Sequence, residues 1–203
     1  MYETLTDNWI AIAAPLVAAV ALIAWYGYAD DSVKGPRASW WNGLRRLTLP
    51  LLDRLAREHT IGYAKYELDD EEFVGTVDAS IGELEAELWT LGFERMPLSA
   101  WKTTEDGRQE RGSWAYRAGP LAERQLHVML FDGVDGGVDV YCHDEYNAFH
   151  PRYALKHYRG TDLDAEKGRR QLKKVVSENG TLLKQWPWSQ KHDREDHTKE
   201  KRE

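Results

Sequence analysis

The spacing of hydrophobic residues along this chain changes three times. From Trp9 to Tyr28 apolar and aromatic residues run on without a single charge. As a helix rising about 1.5 Å per residue, that run spans about 30 Å, the hydrocarbon thickness of a bilayer. Trp9 at one end and Trp25, Tyr26 and Tyr28 at the other stand where aromatic side chains meet the two water boundaries. Pro15 is tolerated in such a helix. Residues 1–8 carry Glu3 and Asp7 but no Lys or Arg, and the run ends in bulky aromatics, so a retained span is expected in preference to a cleaved signal or a buried core helix.

Residues 29–60 then change to a juxtamembrane pattern: a short polar linker, followed by Trp40, Leu44, Leu47, Leu51 and Leu55 at helical spacing. Arg45, Arg46, Arg54 and Arg57 fall mostly off this stripe. Pro50 predicts a bend or a division into two short helices. The stripe has two possible uses. Trp40, Trp41 and the leucines can lie at the acyl boundary with Arg45 and Arg46 near anionic headgroups, or the stripe can pack on the soluble domain.

From 61 to 184 the pattern alternates between strand and helix. Residues 72–78 predict a strand. Ser80 and Glu83 form a capping box ahead of the stripe Ile81, Leu84, Leu88, Leu91, which Gly92 ends. Residues 93–104 are extended, with Pro97 marking an edge or bulge. Glu105-Asp-Gly107 predicts a hairpin turn, and Trp114 and Tyr116 share a face of the next strand. On 124–131, Leu126, Val128 and Leu130 oppose His127, Met129 and Phe131, so both faces can be covered. After a glycine-rich turn, Val138, Val140 and Cys142 alternate with Asp139, Tyr141 and His143, as in a half-buried strand. A last helix is expected from about Thr161, with Leu172, Val175 and Val176 inward. Asn179-Gly180 serves as its stop or, if the domain lay outside the cell, as a glycosylation acceptor. Residues 185–203 read as a disordered charged tail. The expected fold is thus α+β: a transmembrane helix, then an antiparallel sheet of about five strands in the order β-α-β-β-β-β-α, with two helices on one face.

Charge orients the chain. Lys34, Arg37, Arg45 and Arg46 follow the apolar run, and no basic residue precedes it, which places residues 1–8 outside and the domain inside. The single cysteine agrees with a reducing interior. A net charge of -7 gives no global attraction for nucleic acid. The basic strip Arg169, Arg170, Lys173, Lys174 reads as a solvated helix face.

The densest polar cluster is His143 to His150, followed by His157. His143 and Glu145, two apart, share a strand face; with His150 and His157 folded back they could ligate a metal. Two other uses are open: a sheet edge and loop held by hydrogen bonds, or a partner-binding surface formed by Tyr141, His143, Glu145, Tyr146, His150 and His157. No nucleophile elbow, phosphate loop or spaced metal motif occurs, and Cys142 reads as a small buried hydrophobe. No cofactor is expected.

The phrases Phe73-Val-Gly-Thr-Val-Asp78, Gly112-Ser-Trp-Ala-Tyr-Arg117, Arg124-Gln-Leu-His-Val-Met-Leu-Phe131, Gly137-Val-Asp-Val-Tyr141 and His157-Tyr-Arg-Gly160 resemble uncharacterised membrane-anchored proteins of halophilic archaea and their viruses or proviruses. The resemblance spans about residues 70–176 and implies no functional residue. The expectation from the sequence is a membrane-anchored, non-enzymatic interaction module with membrane lipid and another protein as partners. The alternatives are a helix-grip-like domain for a small apolar ligand and a metal-dependent enzyme.

Overall fold

The computed structural model describes residues 31–58, 65–97 and 99–179. The run 9–28 and the tail 185–203 lie outside the described residues. Among those described, no helix is long and apolar enough to cross a membrane.

Five strands form one antiparallel sheet: β2 (Phe73–Val77), β3 (Glu94–Arg95), β5 (Gly112–Tyr116), β6 (Arg124–Asp132) and β7 (Val138–Tyr146). Their spatial order is β2-β7-β6-β5-β3, so β5, β6 and β7 make the expected meander and β7 is interior. The stretch 93–104 is divided. β3 joins this sheet, while β4 (Trp101–Thr103) pairs in parallel with β1 (Lys65–Glu67) as a separate two-stranded ribbon.

Two helices cover one face of the sheet, as the sequence predicts. Helix α3 (Ile81–Thr90) begins at the Ser80–Glu83 capping box. Helix α5 (Ala165–Asn179) starts four residues later than expected, because Asp164 rather than Thr161 caps it: its carboxylate accepts from Lys167 N at 2.8 Å. Leu84, Leu88, Leu172 and Val176 pack on Trp114, Leu126, Val128, Leu130, Val138, Val140 and Cys142.

The second face is covered too, and this corrects the half-buried reading of β7, every residue of which is buried. Its cover is the β1–β4 ribbon, the short helix α4 (Ala154–Tyr158) and helix α2 (Trp40–Glu58). Helix α2 is not divided at Pro50. Pro50 is exposed, so water can serve the carbonyl that its missing N–H leaves unpaired. The expected linker is also folded: α1 (Asp31–Lys34) and a 3-10 turn (Pro36–Ser39) lie against the domain. Lys34 Nζ meets Glu94 at 3.1 Å, and Arg95 Nε donates to Gly35 O at 3.2 Å.

Gly168 sets how closely α5 approaches β7. A Cβ there would stand 2.6 Å from His143 Cα and 2.8 Å from Asp144 N, both backbone atoms that cannot swing away. Gly82 on α3 faces open space. Gly168→Ala should therefore destabilise the domain by about 1–3 kcal/mol through overpacking, despite alanine's better helix propensity. Gly82→Ala should stabilise it by up to about 1 kcal/mol. Thermal unfolding of the two variants in detergent micelles, followed by circular dichroism, reads both.

Candidate functional site

Strand alternation on the second sheet face sets Gln125 opposite Glu145 and His127 opposite His143. All four are buried. Glu145 is the centre. Gln125 Nε2 donates to its Oε1 at 2.6 Å. His127 Nδ1 lies 2.9 Å from Oε1, while His143 Nε2 and His157 Nδ1 lie 3.4 and 3.1 Å from Oε2. His157 reaches in from α4 and also meets the carbonyl of Tyr146 at 3.0 Å. The His127 and His143 rings stand edge to face, 5.1 Å between centroids.

The outer nitrogens of these two imidazoles are each held. His143 Nδ1 bonds to Glu72, whose other oxygen accepts from Tyr66 OH at 3.1 Å and from Asp69 N at 2.9 Å. His127 Nε2 bonds to Ser113 Oγ at 2.8 Å. Ser113 meets Ser99 Oγ at 2.7 Å, and Ser99 accepts from Arg45 Nη2 at 2.6 Å. Arg45 also forms a buried ion pair with Glu110 at 2.7 Å. A continuous polar chain thus runs from helix α2 through Ser99 and Ser113 to His127.

Burial and charge oppose each other here. Burial would raise the Glu145 pKa, yet the surrounding imidazoles hold it well below the usual carboxylate range. Burial, helped by the charge of Lys102, drives His127 far down, so it is neutral. For His143 burial also pulls downward, but the carboxylates of Glu145 and Glu72 on either side of the ring outweigh it and lift the group to about 9. Burial lowers Lys102 and pushes the Cys142 thiol far up, which suits a packing role for that sulfur.

The structure brings His143, Glu145 and His157 together as the sequence allowed, and it adds His127. His150 stays apart: it packs on Tyr153, 4.7 Å between ring centroids, and its Nδ1 accepts from Arg152 N. The edge-strand reading of His143 and Glu145 is corrected, since β7 lies between β2 and β6. Tyr141, His143, Glu145, Tyr146 and His157 are buried, so only His150 of the proposed partner surface meets solvent appreciably. Trp9, Trp25, Tyr26 and Tyr28 lie outside the described residues. His127, missed as a site residue, had a visible signal: a polar residue on the Met129 face of its strand, matching His143 in the next.

His127, His143 and Glu145 each offer a ligand atom, and these atoms lie within 4.8 Å of one another. Elsewhere, a cleft of about 340 Å³ opens beside α5, lined by Arg124, Asp144, Lys167, Gln171, Lys174 and Glu178 among others. Tyr116, Ala118, Leu126 and Val175 also line it, so the cleft offers both apolar and charged surface. Comparison of the chain with protein-family models, curated proteins and solved structures finds no match.

The buried Arg45–Glu110 pair yields a test. Arg45→Met strands Glu110 in the interior and should cost about 3–5 kcal/mol. Arg45→Met with Glu110→Leu removes both charges and should be less destabilised than Arg45→Met alone. Denaturant unfolding of wild type, both single variants and the double variant completes the cycle.

Proposed function

We propose that this chain is a single-pass membrane protein whose α+β domain is held against the inner leaflet by helix α2 and serves as an interaction module for another protein. The observation that carries this reading is the orientation of α2. Its Arg45 is 2% exposed and bonded into the domain, whereas Trp40, Leu44 and Leu47 are 54%, 44% and 70% exposed. An amphipathic helix normally turns its apolar stripe inward. This one turns a guanidinium inward and leaves Trp40, Leu44 and Leu47 facing away, so that face needs a second apolar neighbour.

Lipid is the occupant that best fits that face. The apolar run ends at Tyr28, three residues before α1, and the folded segment 31–39 is fastened to the domain through Lys34 and Arg95. A helix so tethered stays within reach of the bilayer surface. Arg37 and Arg46 are exposed beside the stripe, where anionic headgroups attract them. Stacked Trp40 and Trp41, 4.2 Å between centroids, suit the interfacial zone. Position beside a membrane and a small rigid domain together favour a role in assembling a membrane complex, with the protein partner meeting the surfaces that α2 leaves open.

A fragment beginning at Ala29 tests the docking separately from the span. With vesicles containing anionic lipid it should float, and its binding should weaken with salt. Leu44→Glu with Leu47→Glu should leave the folded fragment in the aqueous fraction. A fragment that never floats, or floats equally well with both glutamates, overturns the reading.

A further inference from the structure

We infer that His127, His143 and Glu145 together bind one divalent first-row transition-metal ion inside the domain. This site lies beyond the membrane-docking reading and does not depend on it.

Three observations meet. The first is a pair of buried imidazole nitrogens without a hydrogen-bond partner, His127 Nδ1 and His143 Nε2. Each lies close to the Glu145 carboxylate, at 2.9 and 3.4 Å, yet neither meets it as a hydrogen bond. Side chains that approach one another without pointing at one another are arranged as ligands around a common centre. Donor atoms about 2.0–2.1 Å from a tetrahedral metal stand about 3.3 Å apart, and one ligand atom from each of the three side chains lies within 4.8 Å of the other two.

The second observation is the outer hydrogen bonds. A metal-bound histidine commonly donates its other ring N–H to a carboxylate, carbonyl or similar acceptor, which fixes the tautomer and aims the free nitrogen. Glu72 does this for His143 and Ser113 for His127. Both acceptors are themselves held, Glu72 by Tyr66 and Asp69, Ser113 by Ser99.

The third is the donor set. Two imidazoles and a carboxylate suit zinc and also ferrous iron. His157 Nδ1 is spent on the Tyr146 carbonyl and Glu145, so it positions the carboxylate rather than ligating. All three ligands are buried, which makes the ion a cross-link between β6 and β7.

The full chain, purified in detergent without chelator, should carry about one zinc or iron per chain by elemental analysis, and the element found separates the two ions. After chelation, anaerobic addition of cobalt(II) should restore one equivalent and give the visible absorption of a low-symmetry four- or five-coordinate site. His127→Gln and Glu145→Gln should each abolish stoichiometric uptake, while His150→Ala retains it. Glu72→Gln should weaken affinity about 10–100-fold without abolishing binding. If a ligand variant fails to fold, the wild-type cobalt titration decides. Wild type that takes up no stoichiometric cobalt, zinc or ferrous iron overturns the inference, as does a folded Glu145→Gln that binds like wild type.

Discussion

The Arg45 guanidinium is the constraint on which the rest of this structure turns. It enters the domain from α2, pairs with buried Glu110, and bonds to Ser99 and to the Ala100 carbonyl. A buried charge left without its partner costs several kcal/mol, so α2 cannot rotate about its axis without stranding one. That fixed rotation sends Trp40, Leu44 and Leu47 outward. The same guanidinium anchors, through Ser99 and Ser113, the polar chain that ends at His127. One side chain thereby orients the helix beside the expected membrane and braces the imidazole cluster in the sheet.

The two faces of the sheet are built on different physics. Under α3 and α5 the packing is aliphatic and aromatic, and Gly168 allows α5 to sit directly on the β7 backbone. On the other face Met129, Phe131, Tyr141 and Leu68 form one small apolar group and Met96, Ala115 and Ala148 another, and between them lie buried imidazole, hydroxyl, amide and charged groups. Buried polar groups contribute little net stability compared with well-packed hydrophobes but penalise any arrangement that leaves them unpaired. The first face supplies much of the hydrophobic stability; the second specifies how the ribbon, α2 and α4 must lie.

Much of the first face was legible in the sequence. Ser80 and Glu83, the stripe Leu84–Leu88, and the alternation of Leu126, Val128 and Leu130 each follow from local spacing. The second face was not, because its order is long-range. Nothing local pairs Arg45 with Glu110, His143 with Glu72, or β1 with β4 in parallel. The alternation in Val138 to His143 suggested one wet face, since Asp139 and His143 resemble solvent-facing residues. The structure satisfies them internally, Asp139 through Arg108 and Thr76, His143 through Glu72. His143 and Glu145 were recognised as neighbours from their two-residue spacing, but His127 joined them only once β6 and β7 were in register.

The central claim is that α2 lies between the domain and a lipid surface. Spin labels placed singly at positions 47 and 49 of the full chain, reconstituted in bilayers, test it through collisional accessibility. The account predicts that the label at 47 meets oxygen, which partitions into lipid, and is shielded from a water-soluble nickel chelate, while the label at 49, where Leu49 is half-buried one turn on from Arg45, meets oxygen less than the label at 47 does. A label at 47 that collides freely with the nickel chelate would contradict it.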